Sequence, residues 1–171
     1  MFFRHIQARN AVTFASESLL AVLCLLLIIG LITDIRARIL PNWLTVLIAT
    51  LAPLFWYSEG LVFWPEISAR LGMSVACFAA FAIVYARGGM GGGDVKLISA
   101  LALWMQPTIL MQFLIAMSLF GGVLSLFMWA HALRQRKAAS AIEVPYGVAI
   151  SLGTFWVVPQ MASAIPFPMP F

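Results

Sequence analysis

The apolar residues of this chain fall into six long runs, at about 18–33, 43–58, 69–86, 94–105, 108–133 and 144–164. The breaks between them are short and rich in charge, glycine or proline. Runs of that length leave few possible folds. A helix crosses a bilayer with about 20 residues, and in lipid every backbone N–H and C=O has to be bonded inside the protein, which a helix does alone. Composition agrees: the chain is 63% hydrophobic and 9% charged, whereas an ordinary soluble domain carries roughly 25% charged residues. Such a chain cannot cover a surface facing water. The expectation is an all-α polytopic membrane protein with about six transmembrane helices, built as one membrane-embedded domain over residues 1–171. The run at 94–105 is short for a span. Asn42 is expected to cap the second helix, with Pro41 blocking helix before it, and Pro53 to kink it. Arg4 and Arg9 precede the first run, but no small-residue cleavage site precedes Asp34, so this run reads as a retained helix rather than a signal peptide.

Loop charge sets the orientation. The breaks after the first, third and fifth runs hold Arg36, Arg38, Arg87, Lys96, Arg134, Arg136 and Lys137. The opposite side holds Arg4, Arg9 and Arg70, offset by Glu17, Glu59 and Glu66. The positive-inside rule puts the first set in the cytoplasm and both termini outside. The net charge of +4 is spread beside apolar runs, as membrane anchors are, and does not point to nucleic acid. Cys24 and Cys77 lie inside apolar runs without metal-type spacing and read as small core residues.

The chain contains only two aspartates, Asp34 and Asp94. Each stands at the edge of an apolar run, and the loop charges put both on the cytoplasmic side. A carboxylate at a helix centre costs about 2.5–3.5 kcal/mol on insertion scales and less near the interface. The plain alternative is an interfacial charge paired with Arg38 one helical turn on. Five glycines, Gly88, Gly89, Gly91, Gly92 and Gly93, occupy five of the six positions before Asp94, where each costs a helix about 1 kcal/mol relative to alanine. Glycine lets another chain approach the backbone closely, which beside a carboxylate suits an extended peptide. A phosphate-binding reading fails, because the Gly-Lys-Ser/Thr and GxGxxG patterns and their βαβ context are missing. Lys96, two residues beyond Asp94, points elsewhere on a helix and reads as an anchor. His5 and His131 are near neither aspartate in sequence.

Gly91-Gly92-Gly93-Asp94 matches the GxGD signature of intramembrane aspartyl proteases, and GGMGGGDVKL resembles the corresponding segment of prepilin peptidases. Asp34-Ile35-Arg36-Ala37-Arg38-Ile39-Leu40-Pro41-Asn42 resembles that family's D-x-R-x-x-x-I-P-N segment, with Leu40 where Ile is usual. Val144-Pro145-Tyr146-Gly147 is similar to its P-[YF]-G element. The likeness is to the short, TadV/CpaA-like branch that serves Flp-type pili. It implies an aspartyl endopeptidase with Asp34 and Asp94 as catalytic pair and Gly91, Gly92 and Gly93 at the substrate. The implied substrate is the leader of a prepilin or pseudopilin, cut at the cytoplasmic face of the bacterial inner membrane, with membrane lipid and pilus or secretion machinery as surroundings. No metal or cofactor is implied. Longer relatives carry a cysteine-bearing insert and N-methylate the cleaved pilin; this chain has no cysteine tetrad, so cleavage without methylation is expected. A proton-coupled transporter or channel using Asp34 and Asp94 as proton sites is the alternative. It predicts inverted repeats, which the sequence does not display. A catalytically silent assembly factor would have no need of either aspartate.

Overall fold

The computed structural model describes residues 2–134 and 145–164, with side chains from residue 13 onward. Its elements are α1 (Phe2–Ala37), α2 (Asn42–Glu59), a single π-helical turn (Phe63–Ile67), α3 (Ser68–Ala86), α4 (Gly92–Ala102), α5 (Pro107–Arg134) and α6 (Tyr146–Ser163). The all-α, six-helix expectation holds. Three segments, Thr13–Ala37, Phe63–Ala86 and Pro107–Arg134, are long and apolar enough to cross a membrane. Large apolar side chains such as Leu25, Val75, Phe78, Leu119 and Phe127 point outward, as a lipid-facing surface requires. Arg136, Lys137, Val144 and the PFPMPF tail lie outside the described residues.

Helix ends follow local chemistry. Gly60, at φ 68°, turns the chain out of α2, with the Gly60 N–H bonded to the Tyr57 carbonyl and the Leu61 N–H to Trp56. Gly88, at φ 73°, does the same for α3, with the Gly88 N–H on Tyr85 and the Gly89 N–H on Val84. This paired pattern satisfies carbonyls that a helix end leaves open, and it needs a left-handed residue that glycine adopts without steric cost. The glycine string is therefore two caps in tandem: Gly88 and Gly89 close α3, and Gly91 in an extended conformation opens α4.

One expectation is corrected here. Pro41, not Asn42, is the N-cap of α2, and no side chain caps that helix. Asn42 is its first helical residue, and its side-chain oxygen instead accepts from Lys96 Nζ at 3.0 Å.

The core sits around α4. With 11 residues, α4 is about 16 Å long and cannot cross the ~30 Å hydrocarbon layer alone. Val95, Leu97, Ile98, Ala100, Leu101 and Ala102 are all buried. A helix that stops at this depth is tolerated only where the protein itself satisfies its ends. Trp56 Nε1 donates to the Leu103 carbonyl at 2.7 Å, Arg70 Nη1 to the Trp104 carbonyl at 2.9 Å, and Ser74 Oγ to the Ser99 carbonyl at 2.8 Å. Trp104 Nε1 in turn donates to Ile48 at 3.0 Å, and its ring stacks on Phe55. Arg70 and Glu59 are thus not outward-facing loop charges, as their sequence positions suggest. Both are buried and paired at 3.0 Å, because the C-terminal end of α4 needs a donor and a helix C-terminus favours a cation.

Candidate active site

Asp34 lies on the last turn of α1, three residues before the helix ends. Arg38 stops the helix in a left-handed conformation, φ 52°, with its N–H on the Asp34 carbonyl at 2.9 Å. The turn carries Leu40 inward and Pro41 into the start of α2. The Asp34 side chain is only 5% exposed because α6 begins directly against it. The Val148 N–H donates to Asp34 Oδ2 at 3.2 Å, and the Gly147 backbone N–H lies near enough to act on the same carboxylate. These N–H groups belong to the first turn of α6, where a helix has no acceptors of its own and carries the positive end of its dipole. Arg38 stands close enough for its charge to act on Asp34.

The α6 contact depends on Gly147 having no side chain. A Cβ there would lie 2.7 Å from Asp34 Oδ2 and 2.9 Å from its Cγ. Pro145 precedes the helix as its N-cap, and Tyr146 lies against Gly121 of α5. The Pro-Tyr-Gly element therefore starts a helix in register to hold a carboxylate on another one.

Asp94 is placed by a different device. It is the third residue of α4, 8% exposed, and its Oδ2 reaches back to accept from the Gly91 N–H at 3.2 Å. That is the return half of a capping box. A Cβ on Gly91 would fall 2.9 Å from Asp94 Oδ2, and one on Gly93 would fall 3.0 Å from the Leu40 Cβ. Two of the three glycines before Asp94 are thus explained by contacts within the chain: Gly91 leaves room for the carboxylate, and Gly93 lets the Leu40 turn pack close. Gly91 is exposed, and Gly92 and Gly93 are partly so.

The two aspartates, sixty residues apart in sequence, come together closely enough for the charge of Asp34 to act on Asp94. Arg36, Arg38, Arg87 and Lys96 are all exposed at this same end of the bundle. Among the described residues no three His, Cys, Asp or Glu side chains converge as a metal site would require. Cys77 is buried and Cys24 half-buried, both as free thiols, and His131 stacks on Phe127 near the end of α5. The sequence singled out Asp34, Asp94 and the glycines. It did not reveal that Gly147 and Val148 lie against the Asp34 carboxylate, although the Pro-Tyr-Gly string was the signal.

The model of the type IV leader peptidase family matches residues 21–126, a stretch holding both aspartates and the glycine string. A prepilin leader peptidase/N-methyltransferase of Xanthomonas campestris pv. campestris is 28% identical over 135 residues, covering 73% of this chain and 43% of that protein. The chain therefore spans less than half the length of this curated relative. No solved structure matches.

Proposed function

This chain belongs to the type IV leader peptidase family, and we propose that it is a membrane aspartyl endopeptidase that removes the leader from type IV prepilins or pseudopilins. The observation that supports this reading is the pair itself: the only two aspartates of the chain, both buried, at the end of α1 and the start of α4, which meet where Gly93 packs on Leu40. Asp34 and Asp94 share one proton, and their titration belongs to the pair. The charged carboxylate takes a proton from a water as that water attacks the scissile carbonyl carbon. The protonated carboxyl gives its proton to the carbonyl oxygen. Collapse of the tetrahedral species breaks the C–N bond, and a proton passes to the leaving amine.

Gly91, Gly92 and Gly93 border the pair and admit an extended peptide. The exposed basic residues at this end support a site at the cytoplasmic face of a bacterial inner membrane. A leader joined to an apolar helix would present its junction at that depth. Likeness to the short branch supports small Flp-type prepilins as substrates, with cleavage unaccompanied by N-methylation.

Co-expression with candidate small pilins, read as leader loss on a gel, tests the proposal. Wild-type protein should shorten one of them, and Asp94→Ala should leave it full length. Equal shortening by both proteins would end the reading.

A further inference from the structure

We propose that Asn42 and Lys96 form a positioning clasp that holds the Asp34-bearing and Asp94-bearing segments in register. Asn42 lies eight residues beyond Asp34, and Lys96 two beyond Asp94. Their side chains meet at 3.0 Å, Lys96 Nζ donating to Asn42 Oδ1. For both residues this is an unusual use. An asparagine at a helix start ordinarily caps its own helix, yet α2 has no side-chain cap. A lysine in the first turns of α4 stands at the end where the helix dipole disfavours a cation.

The clasp flanks a second contact. The Leu40 turn packs so tightly on Gly93 that a Cβ on the glycine would lie 3.0 Å from Leu40 Cβ. Leu40 is two residues from Asn42 and Gly93 three from Lys96, so the two contacts run side by side between the same segments. A single close contact fixes a separation but permits rocking about it. A hydrogen bond displaced by a few residues removes that freedom. The effect falls on Asp34 and Asp94, because each is joined to one side by a short hydrogen-bonded turn: Asp34 through the Arg38 turn and Asp94 through the first turn of α4. Both clasp residues are exposed, and an exposed hydrogen bond contributes little to folding, so its removal should loosen the site without unfolding the protein.

The kinetic part of the test rests on the aspartyl-protease reading. Asn42→Ala and Lys96→Met should each lower kcat by roughly three- to tenfold, the range of one modest hydrogen bond, with KM and the thermal midpoint in detergent unchanged. The double variant should be no worse than either single, and Asn42→Asp or Lys96→Arg should keep near wild-type kcat. A loss on Lys96→Met with none on Asn42→Ala would overturn the clasp and assign Lys96 a direct contact instead. Losses that multiply in the double variant, or no loss at all, would overturn it too. A second readout does not depend on cleavage. Labelling the carboxyl carbons of the chain's only two aspartates gives two NMR signals, and each clasp variant should shift both. Unmoved signals would sink the clasp even if the protein cleaves no pilin, whereas cleavage retained by Asp34→Asn would sink the protease reading and leave the clasp standing.

Discussion

Gly147→Ala is the sharpest test of how the site is built. The added Cβ would stand 2.7 Å from Asp34 Oδ2, 2.9 Å from Cγ and 3.1 Å from Cβ. The obstacle is therefore the whole of a short side chain, not the tip of a flexible one. Ordinary contact begins near 3.4 Å, so the carboxylate or the α6 N-terminus has to move by most of an ångström. Either movement weakens the Val148 N–H bond to Asp34, and a hydrogen bond to a charged group is worth about 1.5–3 kcal/mol. A misplacement of about 1 Å at reacting groups costs on the order of 100-fold in rate, or about 2.7 kcal/mol. Leader cleavage by Gly147→Ala in membranes should therefore fall about a hundredfold in kcat/KM, with the protein still inserted. Gly122→Ala is the matched control, since its Cβ would meet nothing within 4 Å, and it should leave cleavage unchanged. Cleavage by Gly147→Ala within about threefold of wild type, under half of one decade, would refute the claim that the α6 N-terminus sets the position of Asp34.

Further expectations follow from the same geometry. Asp34→Asn and Asp94→Asn keep size and remove titration; each should reduce leader cleavage below about a tenth of wild type, with the double variant hardly worse, while His131→Ala stays near wild type. Arg70→Met strands the buried Glu59 carboxylate and the Trp104 carbonyl; it should destabilise the protein by about 3–5 kcal/mol, seen as a lower thermal midpoint in detergent, and Glu59→Leu added to it should recover much of the loss. Reporter fusions at Arg38 and Arg87 should signal the cytoplasm, and those at Glu59 and Gln106 the opposite side. A periplasmic signal at Arg87 would move the whole site to the other face.

How much of this was legible in the sequence depends on the range of the interaction responsible. The six helices were, because apolar run length and the Gly, Pro and Arg breaks between runs act locally: α2, α3, α5 and α6 begin and end within two residues of the apolar runs. The two aspartates stood out because carboxylates are scarce and costly in such a chain. What stayed hidden is pairing at a distance. Glu59 and Arg70 look like solvated loop charges when counted by position, and only the short, buried α4 turns them into its C-terminal support. Asn42 has the residue type of a cap, yet it is engaged by a lysine 54 residues away. The glycine string invited a reading as room for an extended peptide, but Gly88 serves the end of α3, Gly91 the Asp94 carboxylate and Gly93 the Leu40 turn. Each of these residues answers to a partner that periodicity cannot indicate. The same holds for Gly147, whose missing side chain has meaning only because Asp34, 113 positions earlier, occupies the space. A membrane protein with little charge to distribute concentrates its polar contacts where helices stop, and in this chain that places the two carboxylates and the backbone groups that hold them at one end of the bundle.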